Sequence, residues 1–253
     1  MGRGRSNLPP RARRRLRAVV TDVDGTLTDA DRRLDANAVR WVRRLESRGI
    51  PVVLATGNVL PIALALHRSL GLSGPIVAEN GGLLYRRVDG TERVERLAHR
   101  GLALEAYRAL VAAGLPVRRL FTDRWRETEV AIEPTVSLTT VGRVLRGRCP
   151  RVESIGTGYA IHLMERGAGK LPALHRALAP LGLTVGECVV LGDGDNDAPM
   201  LRAAGFGVSF ASGSPRARAA ARYVARSSFA AGFVEGLKAS GILSLIGSHS
   251  GGN

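Results

Sequence analysis

An α/β fold is what this sequence predicts: a doubly wound parallel sheet as the core, with an inserted α+β cap domain. Three observations predict it. Short β-branched apolar runs alternate with amphipathic helical stretches in both flanking parts of the chain, the pattern of βαβ units whose strands are buried on both faces. Between residues 86 and 159 that alternation gives way to period-2 strands mixed with two helices, and then it resumes. Finally, five of the ten aspartates sit in two short segments, each directly after a predicted buried strand.

The elements follow in order. Residues 17–21 read as a buried strand, and 37–48 as a helix with Ala38, Trp41, Val42 and Leu45 on one apolar stripe, stopped by Gly49. Strand 51–55, helix 60–70 and strand 75–78 come next, then the turn Glu79-Asn80-Gly81-Gly82 and strand 83–85. This is Rossmann-like logic. The insertion holds helix 101–113, strand 129–132, helix 137–145 and strands 152–155 and 159–163, the last two joined by Gly156-Thr157-Gly158. The core returns with helix 169–178, strand 188–191, a helix starting near Pro199 and strands 206–210 and 223–224. The expected division is a core of residues 16–85 and 160–245, a cap of residues 86–159 and a basic, disordered tail of residues 1–15.

Composition narrows the function classes. With 253 residues, 45% of them hydrophobic, the chain can bury one core plus a smaller satellite domain. Cys149 and Cys188 lie far apart without metal-ligand spacing, and no secretory pattern is visible, so a cytoplasmic protein is expected. Residues 50–72 are broken by prolines and glycines and carry His67 and Arg68, a poor membrane span. Of the +15 net charge, seven units come from arginines within residues 1–17. Such a tail can meet phosphate backbones nonspecifically, and a nucleic-acid-associated role through it is the remote alternative. The body, at 4% aromatic and without a helix-turn-helix or zinc-finger pattern, predicts no specific nucleic-acid partner.

The two aspartate segments are Asp22-Val23-Asp24-Gly25-Thr26-Leu27-Thr28 and Gly192-Asp193-Gly194-Asp195-Asn196-Asp197. Singly, each could be no more than an Asp/Gly turn. At the carboxyl ends of parallel strands they would share one crevice. Carboxylates gathered there raise one another's pKa unless a cation holds them, and Mg²⁺ suits hard oxygen ligands completed by a phosphate. Thr56-Gly57-Asn58 also follows a strand, and its hydroxyl and backbone N–H groups could hold phosphate oxygens. Lys170 is one of only two lysines, and its compact ammonium could neutralise a phosphoryl group among the aspartates.

In this order, the Asp22 segment, Thr56, Lys170 and the Asp193 segment resemble the four motifs of the haloacid dehalogenase superfamily, and the insertion resembles the α/β cap of its Cof-like group. Leu54-Ala55-Thr56-Gly57-Asn58, Ala78-Glu79-Asn80-Gly81-Gly82, Gly158-Tyr159-Ala160-Ile161-His162 and Asn196-Asp197-Ala198-Pro199-Met200 are similar to the archaeal phosphoglycolate phosphatases.

The resemblance implies a Mg²⁺-dependent phosphomonoesterase acting on a small phosphorylated metabolite, foremost 2-phosphoglycolate. Sugar-phosphate or mannosyl-3-phosphoglycerate hydrolysis is the alternative. It implies Asp22 as nucleophile and Asp24 as general acid and base, Asp22, Asp24, Asp193 and Asp197 at the metal, and Thr56, Gly57, Asn58, Lys170 and Asn196 around the phosphate. Asp195 falls at the motif's variable position and is left out. For a carboxylate on the leaving group the cap offers Arg118, Arg119, Arg124, Arg126 and His162. A homodimer stays open. Two departures stand out: Leu171-Pro172 follows Lys170 where a glycine is common, and Ser209-Phe210-Ala211-Ser212-Gly213 replaces an Asn-Ala.

Overall fold

The computed structural model describes residues 15–244, so the expected basic tail, Arg15 apart, lies outside the described residues. The first half of the core runs β1 (Ala18–Thr21), α1 (Ala36–Glu46), β2 (Val52–Ala55), α2 (Leu60–Leu70), β3 (Ile76–Ala78), β4 (Leu83–Val88) and β5 (Thr91–Arg96). Next come α3 (Arg100–Ala112), β6 (Val130–Ile132), α4 (Leu138–Arg148), β7 (Val152–Gly156) and β8 (Ile161–Glu165). The chain closes with α5 (Lys170–Leu178), β9 (Cys188–Leu191), α6 (Ala198–Ala203), β10 (Phe206–Ser209), α7 (Pro215–Ala220), β11 (Tyr223–Val224) and α8 (Phe229–Ser240).

Eight strands form one sheet in the order β11-β10-β9-β1-β2-β3-β4-β5, parallel from β11 to β3 and antiparallel from β3 onward. Strand alternation splits its side chains between two cores. Val19, Val52, Leu54, Val189 and Leu191 face the layer of α1, α2 and α8 through Val42, Leu45, Leu70, Phe233 and Leu237. Ala18, Val20, Val53, Val190 and Cys188 face α5, α6 and α7 through Leu174, Leu178, Leu201 and Ala217. Helices on both faces make the sheet doubly wound, as the sequence predicts. Local signals set helix starts: the Asp35 carboxylate accepts the Asn37 and Ala38 amides at 2.8 and 2.9 Å and opens α1.

A second, antiparallel sheet, β6-β8-β7, packs Val130, Ile132, Val152, Ile161 and Leu163 against Ala106 and Leu110 of α3 and Val141 and Leu145 of α4. It is the inserted α+β unit. Strand membership differs from the expected division. The large sheet continues through β5 to Arg96, and β8 belongs to the small sheet. On that basis we place the joins near residues 97–99 and 166–169 rather than at 85/86 and 159/160. Among the described residues no helix is long and apolar enough to cross a membrane.

Candidate active site

β1, β2 and β9 are neighbours, so the loops leaving their carboxyl ends meet. Asp22 follows β1, is 8% exposed, and its amide donates to the Leu191 carbonyl at the end of β9 at 3.0 Å. Gly25 turns the chain with φ +77°, and a Cβ there would overlap the Asp193 carboxylate. Both facts require glycine. The Thr26 hydroxyl donates to Asp193 Oδ1 at 3.2 Å, tying the two aspartate segments together.

After β2, the Asn58 amide donates to Thr56 Oγ1 at 3.0 Å, and Asn58 Nδ2 donates to Asp24 Oδ2 at 2.7 Å. Asp24 is thus aimed by the loop expected to hold phosphate. The next loop is laced to this one, since the Asn80 and Glu79 amides donate to the Thr56 and Asn58 carbonyls at 3.1 and 3.0 Å. Gly81, at φ +101°, has the Gly169 carbonyl so close that a Cβ would overlap it, which brings the start of α5 and Lys170 to the crevice.

Lys170 is 2% exposed, and its Nζ donates to Asp22 Oδ1 at 2.8 Å and Asp197 Oδ1 at 2.6 Å. Burial pulls its pKa down, but Asp197 and Asp22 more than offset this and hold it above the ordinary lysine value. Asp22 goes the other way: burial raises its pKa well above the carboxylate range, Lys170 draws it partly back, and Asp197 and Asp193 push it up. Burial and the charge of Asp197 push Asp193 up to about 7. Oxygens of Asp22, Asp193 and Asp197 lie within 4.8 Å of one another. One ammonium does not relieve three crowded carboxylates, and hard oxygen donors so spaced fit a divalent cation. Asp197 also accepts the Asp193 and Gly194 amides on Oδ2 at 3.1 and 2.9 Å, so it shapes the loop as well.

The cap closes the other side through a buried polar cluster. Arg126 Nη1 donates to the Gly57 carbonyl at 3.0 Å and pairs with Glu129. Glu129 also accepts from Asn80 Nδ2 at 3.1 Å, and Asn80 Oδ1 accepts from Asn196 Nδ2 at 2.9 Å. His162 is fully buried, with Nδ1 2.9 Å from Glu129 Oε1 and Nε2 3.0 Å from Thr157 Oγ1. Burial works against the Glu129 charge, yet His162 and Arg126 bring its pKa down to about 2.

Asp22, Asp193, Asp197 and Lys170 therefore come together directly, and Asp24, Asn58 and Thr56 form the adjoining wall. The Asp24 carboxylate turns to Asn58 and is not among the clustered oxygens. His162 has both ring nitrogens engaged, which leaves neither for a ligand. Sequence reasoning gave no role to Glu79, Asn80 or Glu129. The Glu79-Asn80 pair carried the same signal as the aspartates, polar residues and glycines directly after a buried strand, whereas nothing local marks Glu129.

Residues 19–113 and 143–237 match the haloacid dehalogenase-like hydrolase family. The chain belongs to that family. A phosphoglycolate phosphatase of Methanopyrus kandleri is 42% identical over 195 residues, covering 76% of this chain and 82% of the relative. One from Methanothermobacter thermautotrophicus is 36% identical over 223 residues, covering 88% and 98%. The solved structure of a Thermoplasma acidophilum protein superposes with a TM-score of 0.81 at 27% identity, covering 90% of this chain and 99% of that one. The superposition with that structure therefore takes in most of both the core and the inserted unit.

Proposed function

We propose that this hydrolase is a Mg²⁺-dependent phosphomonoesterase that works through an aspartyl-phosphate on Asp22, with 2-phosphoglycolate as its substrate. The observation that carries the reading is the convergence of Asp22, Lys170 and Asp193 at the ends of adjacent parallel strands. The names of the archaeal relatives support the substrate.

The free Asp22 oxygen attacks phosphorus, forming a P–O bond as the ester P–O bond breaks. Asp24, aimed by Asn58, gives its proton to the departing glycolate oxygen and then takes one from the water that attacks the phosphorus of the acyl phosphate. Lys170 and Thr56, with the Gly57 amide, hold the equatorial oxygens, the Asn58 amide fixes the Thr56 hydroxyl, and Asn196 steadies Asn80 beside them. Asp22, Asp193 and Asp197, with Asp24 through its carbonyl, would hold Mg²⁺, whose charge would offset the repulsion between the phosphate and the Asp22 carboxylate.

The test is phosphate release from 2-phosphoglycolate, mannosyl-3-phosphoglycerate, hexose phosphates and p-nitrophenyl phosphate, with Mg²⁺ or EDTA, for the native chain and Asp22→Asn. The expected result is preference for 2-phosphoglycolate, abolished by EDTA and by the substitution. Preference for a sugar phosphate would overturn the substrate, and Mg²⁺-independent turnover that survives Asp22→Asn would overturn the mechanism.

A further inference from the structure

A phosphorylated small acid presents two anions, and the aspartate crevice accounts for only one of them. The second, a carboxylate, needs donors close to Asp24, the residue that must reach the ester oxygen. Among the cap's candidates, Arg118 pairs with Glu133 at 2.8 Å in solvent, Arg119 pairs with Asp123, Arg124 lies over the Phe121 ring at 4.3 Å, and both nitrogens of His162 are taken. Arg126 differs. It is 3% exposed, bonds the Gly57 carbonyl, and has a buried Nε with no hydrogen-bond partner. Leaving such a donor unmade costs about 1–3 kcal/mol, so a native structure that keeps one invites a ligand to it. Arg86 and Arg100 also have unpartnered Nε atoms, but of the three, each of which pairs with a carboxylate, only Arg126 bonds the Thr56-Gly57-Asn58 loop.

Tyr159 is linked to it through His162, which bonds the same Glu129 that Arg126 pairs with. Its ring meets His162 edge-on at 6.4 Å, and its hydroxyl makes no hydrogen bond among the described residues. Burial and then the charge of Asp24 push the phenol pKa up to about 12, while the charge of Arg126 draws it back. Over the same ring lies Arg32, an exposed residue of the core loop before α1, with its guanidinium carbon 5.0 Å from the ring centroid. No carboxylate pairs with Arg32 among the described residues; its neighbour Arg33 takes Asp31.

We propose that the leaving group's carboxylate is bound at the seam between cap and core by Arg126 and the Tyr159 hydroxyl, with Arg32 closing on the same anion from the core. The inference rests on the phosphoglycolate reading and adds the residues that select for it. Arg126 offers Nε to one carboxylate oxygen, and the phenol offers O–H to the other. A neutral alcohol in that place would leave these donors unpaired, which is how a polar site rejects an analogue lacking its partner. Arg32 comes from the core, so the carboxylate would bridge the two units and favour the closed cleft only when an acid is bound.

The experiment compares kcat/KM for 2-phosphoglycolate with that for ethyl phosphate, whose leaving group lacks the carboxylate, in the native chain, Tyr159→Phe, Arg32→Ala and Arg126→Lys. Arg126 also holds Glu129, so Tyr159→Phe and Arg32→Ala carry the test if Arg126→Lys fails to fold. The ratio of the two kcat/KM values is expected to fall about tenfold or more in each, through KM, as for a hydrogen bond to a charged group. A native ratio far above one that all three variants keep would overturn the inference and leave the phosphoglycolate reading intact. A native ratio near one would overturn both.

Discussion

Replacing Glu129 by glutamine should expose how the cap is held over the site. The carboxylate is 1% exposed and takes bonds from Arg126, His162 and Asn80, so it links the cap sheet to the loops after β2 and β3. Its folded pKa of about 2 lies below the ordinary 4.5. The sign follows: this stabilisation is complete above the unfolded value and is lost as pH falls through the folded one. Lowering the pKa from 4.5 to about 2, at about 1.36 kcal/mol for each tenfold change in proton affinity, gives about 3 kcal/mol at pH 7. Breaking a buried ion pair by removing one partner costs about 3–5 kcal/mol, an independent figure in the same range. Glu129→Gln keeps an acceptor for Asn80 but leaves Arg126 buried without a counter-charge. Urea unfolding should therefore show the variant about 3 kcal/mol less stable at pH 7, with the gap closing to about 2 kcal/mol at pH 3.5. A gap under about 1 kcal/mol at pH 7, or one of equal size at both pH values, would refute the reasoning that the ionised carboxylate carries the cluster.

Other predictions concern the aspartate crevice. Asp193 has a folded pKa near 7, above its ordinary 3.8, so the metal-free chain should lose stability as pH rises from about 4 to 7. Mg²⁺ should restore it, raising Tm by about 5–10 °C at pH 8 and by less at pH 5 when present at about 100 times Kd; a shift equal at both pH values in thermal scans would count against this. Asp24→Asn should cut kcat by about 10²–10⁴ without moving Tm, because the half-buried carboxylate contributes one side-chain bond, to Asn58. Gly25→Ala should lower stability by roughly 1–3 kcal/mol and weaken Mg²⁺ binding as well, since the new methyl must displace Asp193 from a backbone already at positive φ. Calorimetric titration with Mg²⁺ separates the two effects.

What the sequence made legible follows a physical pattern. Buried parallel strands announce themselves as β-branched runs, and residues 188–191 and helix 60–70 lie where the hydrophobic pattern puts them. β5 was unreadable because Thr-Glu-Arg-Val-Glu-Arg has no core face. It is an edge strand held by its ladder to β4 and by pairs such as Arg68–Glu92 at 3.0 Å and Arg176–Glu95. α8 was missed for another reason: its Gly232 and Gly236 weaken helix propensity, and only the structure shows them pressed against Phe210 and Val208 of the core. The expected strand at 159–163 starts late, at Ile161, because Gly158 and Tyr159 are spent on the turn that presents the phenol to the seam.

The core half of the site was readable for the same reason as the strands, since each of Asp22, Thr56 and Asp193 directly follows one. The cap half was not, because its meaning lies in pairs far apart in the chain: Asn80 with Glu129, Arg126 with Gly57, Arg32 with Tyr159. Those pairs are unequal in strength, and the inequality has a consequence for entry to the site. On one side Glu79 accepts the amides of Glu127 and Thr128 at 3.0 and 2.9 Å beside the buried Arg126 and Glu129, charged hydrogen bonds of about 1.5–3 kcal/mol each. On the other, a single exposed guanidinium rests on Tyr159, a contact of about 0.5–1 kcal/mol. The buried side therefore holds the cap over Asp22 by the stronger contacts, and on the proposed reading the Arg32–Tyr159 side would be the easier one to part. An anion that pairs with Arg32 and Tyr159 would strengthen the weaker side, coupling the proposed binding of the acid to the contact between cap and core.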